Sequence, residues 1–266
     1  MAHNLLERKL DDLTIEDEDS FRHVGLYADL KAILRKDGFV FRLLPADLAR
    51  WDHALLLNLT FWAESAAGDI LVDEYLDADV LAHAAWHHLA ARNLRNDQGK
   101  LSAEALLLGE AVASAFDLYL VGRLLGRSVD SLFLGSQVPA MTEVAENAGL
   151  SRAEIEAMLR EVERAPERAF EDLRQLLYDT ALALLHAKGA DAALAVLAGT
   201  RHHRFGALLH RYELSNWVLA TRLHTPAQAA PDVRVRTLEA GLRQADDSLA
   251  WLTQAWVEPA LRTVPR

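Results

Sequence analysis

His83 and His87 stand four residues apart in VLAHAAWHHLAA, the run between Asp79 and Arg92 that carries no formal charge. Glu110 and Asp117 are the only ionisable acids in ALLLGEAVASAFDLYLVG, the run between Glu104 and Arg123. A carboxylate in an apolar segment is costly to bury unless a cation, a histidine or a hydrogen-bond donor meets it. Imidazole and carboxylate together are the donor set of zinc and non-haem iron sites. The chemistry these four side chains point to is the binding of a divalent metal ion inside a helical protein.

The spacing supports that chemistry. Residues i and i+4 lie about 40° apart around a helix, so His83 and His87 share one face, and one ion can take both. His88 points about 140° away from His83 and stands outside the pair. Glu110 and Asp117, seven residues apart, are nearly eclipsed on their own helix, with Ser114 between them. The short RNDQGK turn (Arg95–Lys100) allows an antiparallel pair of helices whose polar stripes meet. Two further pairs occur. Asp179 and His186 lie seven apart in LLYDTALALLH and are candidate additional ligands, although an interhelical hydrogen bond is the simpler role. His210 and Glu213 lie three apart in LLHRYELSNW, a reversed form of the E-x-x-H pair of di-iron bundles. Glu64 near a helix end reads as exposed, with the site lining as the alternative. His202 and His203 read as surface, and the tryptophans, Trp62 and Trp86 among them, as core packing.

H-x-x-x-H on one helix with a glutamate on the next resembles the ligand set of the gluzincin metallopeptidases. The resemblance covers residues 79–117, about 40 of the 266. It implies His83, His87 and Glu110 as ligands, and Asp117 as a partner that orients a histidine or joins the ligands. In that family the general base directly follows the first histidine. Here that position is Ala84. A hydrolytic zinc site needs a base to take the proton of the attacking water. Glu74 or Asp73, from the segment ahead of the helix, are candidates to replace it.

The elements that must position these residues follow from composition. Half the residues are apolar, alanine and leucine dominate, and seven prolines and thirteen glycines interrupt them. The fold class expected is all-α: one multi-helix domain over residues 21–266 with a buried polar site between adjacent helices, preceded by a polar arm over 1–20. A single short strand or extended segment is expected near 39–44, an irregular stretch after Gly126 through Pro139, and a candidate protruding hairpin over 145–168. Ser151 with Glu154 forms a capping box, S-x-x-E. Ser102 is an N-cap for the helix that carries Glu110.

The chain has no cysteine, which removes disulfides, thiolate ligands and cysteine nucleophiles. A net charge of −11 without a basic stripe argues against nucleic acid and against an anionic membrane surface. The first twenty residues lack the pattern of a signal peptide, and Glu110 and Asp117 interrupt the most apolar run, so a cytoplasmic protein is expected. Three functions follow. The first is a metal-binding protein with zinc as the ion and metal-dependent hydrolase-like chemistry at an atypical site. The second is a di-iron or mononuclear non-haem iron oxidoreductase. The third is a non-enzymatic scaffold whose histidines and carboxylates form a metal-free network. Substrate and oligomeric state are left open, a homo-oligomer included.

Overall fold

Alanine and leucine lose little freedom in a helix, and the long runs of both become helices packed face to face. The computed structural model describes residues 4–61, 69–128, 130–224 and 230–262. Within them the chain is a predominantly α-helical single domain. In chain order the elements begin with β1 (Leu6–Lys9), β2 (Thr14–Glu16), α1 (Glu18–Phe21), α2 (Gly25–Asp37) and β3 (Val40–Leu43). Then come α3 (Trp51–Phe61), β4 (Ile70–Leu71), β5 (Tyr75–Asp77), α4 (Ala78–Leu94) and α5 (Ala103–Leu124). The second half holds α6 (Leu132–Asn147), α7 (Arg152–Arg164), α8 (Pro166–His186), α9 (Ala190–Gly199), α10 (Arg211–His224) and α11 (Val233–Gln244). The C-terminal helix runs as α12 (Ser248–Leu252), a π turn over Thr253–Val257, and α13 (Glu258–Arg262). Pro259 explains the π turn: its ring excludes the carbonyl of Ala255, and the next free N–H, of Glu258, reaches back five residues to Thr253.

Helix α5 is the centre. It packs along α8 on one side and α4 on another, with α7 and α10 also against it. Nearly every residue of it is buried, Glu110 included. It is the one helix, among the described residues, long and apolar enough to cross a membrane, and 89% of its most apolar window is buried inside the fold, so packing accounts for that apolarity. Small residues let the neighbours approach. A Cβ on Gly109 would lie 3.1 Å from the Ala90 Cβ of α4, and one on Gly122 would lie 2.5 Å from the Val162 carbonyl oxygen of α7. Residues 145–168, read as a candidate hairpin, hold α7, whose Ile155, Met158 and Val162 are buried.

The strands are short and sit at the edge of the helical body. β3 pairs antiparallel with β1, Val40 opposite Lys9, and parallel with β4, while β2 pairs parallel with β5. The extended segment expected near 39–44 is β3. Four further strands correct the expectation of at most one. At two to four residues each, they are too short to show an alternating pattern. Two of them belong to the segment read as a polar arm. Their use is positional: β5 leads directly into α4, with Asp77 at its N-cap. Asn58 of α3 holds β4 by donating to the Ile70 carbonyl and accepting from the Ile70 N–H.

The stretch through Pro139, expected to be irregular, is α6. Gly135 and Pro139 are both exposed, so water solvates the carbonyl that the proline cannot bond. Ser102 and Ser151 cap α5 and α7 as expected, the latter as a full capping box.

Candidate metal centre

The face of α4 that carries Leu81, Ala85, Trp86 and Leu89 is buried in the core, and the histidine stripe lies beside it, toward α5. His87 pairs with Glu110 and His83 with Asp117, so rising numbers on one helix meet falling numbers on the other, and the two run antiparallel. Gly109, next to Glu110, faces Ala90 of α4, where a side chain would not fit without a shift.

Three donor atoms converge. The Nε2 atoms of His83 and His87 are 3.0 Å apart, His87 Nε2 is 3.2 Å from Glu110 Oε2, and His83 Nε2 is 3.9 Å from Glu110 Oε1. Ligands bound at about 2.0–2.1 Å in a tetrahedral zinc site stand about 3.3 Å from one another, and these separations bracket that value. Among the described residues, His83, His87 and Glu110 are the one group of three such side chains close enough to hold an ion. Asp117 stands behind the group: its Oδ2 lies 3.0 Å from His83 Nδ1, the ring nitrogen that faces away from the convergence point. A carboxylate there takes the Nδ1–H and leaves the Nε2 lone pair free, as in the carboxylate–histidine–metal arrangement. Ser114, on the same stripe, is half-buried and stands outside the group.

The cluster is partly accessible to solvent: the His83 and His87 side chains keep 27% and 33% of their surface while Glu110 keeps 11%. Two imidazoles and one carboxylate are the donor set of catalytic zinc and of the non-haem iron facial triad.

Without an ion, the same atoms divide the protons among themselves. Burial works to lower the His83 pKa, but the charge and hydrogen bond of Asp117, then the charges of Glu110 and Asp69, raise it to about 10. Burial, then the charge of His83, pushes His87 down to about 3. Glu110 is pushed up to about 7, by burial first; His83 works against this, while Glu213, Asp69 and Asp117 add to it.

The structure also places the other candidates. Glu213 bears electrostatically on Glu110, His83 and Asp117, while forming a 3.7 Å pair with His210. Asp179 is bound by Arg243 at 2.5 Å, and His186 ends α8; neither joins the group of three. Glu74 pairs with Arg8 at 3.2 Å, and Asp73 accepts from the Tyr75 N–H at 3.0 Å. The acid that the connection ahead of α4 brings to bear on His83 and Glu110 is instead Asp69, whose pKa burial raises. Nothing in the sequence pointed to Asp69. Asp79 was also missed, although its place four residues before His83 was visible. His88 turns away to Asp37 at 2.8 Å, and Trp86 packs edge-on to Phe116 with ring centres 5.4 Å apart. His202 is exposed and His203 half-buried. Glu64 and Trp62 lie outside the described residues. Comparison with protein-family models, curated proteins and solved structures gives no match.

Proposed function

We propose that this chain is a metal-binding protein holding one divalent ion, zinc in the first instance, through His83 Nε2, His87 Nε2 and Glu110. The observation that carries the reading is the convergence of these three donors with Asp117 set behind His83. An ion there would supply a Lewis acid and a bound water of lowered pKa. The chain's own residues would do the rest. Asp117 fixes the His83 tautomer, and the partial exposure of the cluster admits water and a small ligand. Ala84 gives no proton acceptor where the gluzincins have theirs, so hydrolase-like chemistry here draws its base from another element. Asp69 and Glu213, whose charges bear on Glu110, are the candidates. The same donors suit mononuclear non-haem iron. A cytoplasmic location belongs to this reading.

Elemental analysis of the purified protein tests it. About one zinc per chain, lost in His83→Ala, is the expected result. Metal content unchanged by that substitution overturns the assignment, and iron in place of zinc selects the oxidoreductase alternative.

A metal-free network is the second reading. It is favoured by the proton division described above, in which charged His83 donates through Nδ1 to Asp117 and through Nε2 to neutral His87, and lays its charge near Glu110. Chelator treatment separates the two: a melting temperature that chelation leaves unchanged supports the network.

A further inference from the structure

Asp117 uses one carboxylate oxygen and strands the other. Oδ2 faces His83 Nδ1, while Oδ1 is buried and has no hydrogen-bond partner among the described residues. A buried acceptor left unpaired is costly, and a loosely held Asp117 would hold His83 loosely. The antiparallel register shows what lies beside it. Going toward the N-terminus of α4, Glu110 meets His87 and Asp117 meets His83. The next position on that stripe, one turn further, is Asp79.

We propose that Asp79 is a positioning residue of the metal centre: a carboxylic acid that donates its proton to Asp117 Oδ1, holding Asp117, and through it His83, in the orientation that presents Nε2 to the ion. The inference rests on the metal reading of the site. An ionised Asp79 cannot play this part, because it has no hydrogen to give and would repel Asp117. A neutral acid can.

The surroundings of Asp79 favour the acid form. Burial foremost, then the charges of Asp117 and Asp77, push it up to about 7. Its own backbone N–H and His83 work against them, as does its place in the first turn of α4, where a helix favours negative charge. Tyr27, on α2, is a further titratable group coupled to Asp79, and holds no charge near neutrality, since burial and Glu18 raise its pKa. Burial with two neighbouring carboxylates outweighs the opposing pull. The arrangement forms a relay, Asp79 to Asp117 to His83, in which each member fixes the next.

Asparagine and alanine distinguish this role from a merely structural one. Asp79→Asn keeps a donor of the same shape, and Asp79→Ala removes it. Zinc affinity measured by chelator competition should weaken by about 10–100-fold in Asp79→Ala and stay within about threefold of the parent in Asp79→Asn. Asparagine as damaging as alanine, or alanine as tight as the parent, overturns the proposal. A second measurement needs no metal. In zinc-free protein, the NMR signal of the His83 Nδ1 proton should persist in Asp79→Asn and shift or broaden in Asp79→Ala; no change in Asp79→Ala overturns the proposal. A parent that binds no zinc removes the metal reading, and the imidazole measurement then still decides the role of Asp79. Melting curves of both variants separate misfolding from loss of orientation, and the isosteric Asp79→Asn carries the test if Asp79→Ala does not fold.

Discussion

Two polar clusters lie inside this helical protein, and they are built on opposite principles. Around Arg174 every charge is answered. Its guanidinium is fully buried and donates to Glu171 through Nε and Nη2 at 2.7 Å each, and to Glu239 through Nη1. Arg243 then donates to Glu239 at 2.7 Å and to Asp179 at 2.5 Å, tying α8 to α11. Burial alone would raise the Glu171 carboxyl, but the hydrogen bonds and charge of Arg174 hold it below its ordinary range. Between α4 and α5 there is no such cation: among the described residues, the ion pairs of Glu110 and Asp117 are all with histidines. A fixed guanidinium closes a carboxylate off, whereas an imidazole offers a lone pair that a proton or a metal can occupy in turn. The type of partner, more than the depth of burial, separates a structural cluster from one that can exchange a ligand.

Four perturbations break or sharpen that contrast. His87→Ala removes one of three donors and is expected to take the metal content from about one per chain to none, read by elemental analysis, with the fold retained. Arg174→Met should do the reverse: chemical denaturation should show a loss of about 3–5 kcal/mol, because Glu171 and Glu239 are left buried without their shared cation, while metal content stays the same. Equal loss of metal in both variants would erase the distinction. The third is pH. His83, raised to about 10, holds its proton at neutrality, and Glu110, raised to about 7, gains one as pH falls through that value; both protons must leave for the ion. Zinc affinity should therefore fall as pH drops from 8 to 6, by about tenfold per unit for each proton displaced, measured by competition titration. Glu171, beside Arg174, behaves differently. Stability from the depressed Glu171 pKa is present above its unfolded value and lost only as pH falls through the folded one, so that contribution should stay flat over the same range. The smallest effect belongs to Asp179→Asn. Its side chain is 55% exposed, so the expected change is below about 1 kcal/mol, with no change in metal.

The sequence made the cluster of His83, His87 and Glu110 legible because its signal is the exception to a strong background. Two histidines and two acids in otherwise uncharged helical runs are conspicuous, and helical geometry then pairs them. Asp179 was conspicuous for the same reason, yet the structure ties it to Arg243, sixty-four residues away. A carboxylate on a helix announces that it needs a partner and not which one, and long-range pairing is set by packing that no local spacing encodes. Asp69 shows the limit from the other side: it stands in a connection, without periodicity, just ahead of β4, and its charge bears on His83. The helices themselves were legible from composition and capping. The small strands were not, and neither was α6, where an exposed proline looks like an end and is tolerated because water completes its hydrogen bonding.

On the metal reading of the site, the packing of Gly109 against Ala90 would bear on the choice of ion. The distance between the backbones of α4 and α5 fixes the bite of the site, since the histidines hang from one and the glutamate from the other. At position 109 a glycine faces a methyl group, and an added Cβ would stand 3.1 Å from it, close enough to push the helices apart. Discrimination between cations of different radius would thus be written into the backbone of two helices, and a single methyl added at position 109 would retune it without touching a ligand.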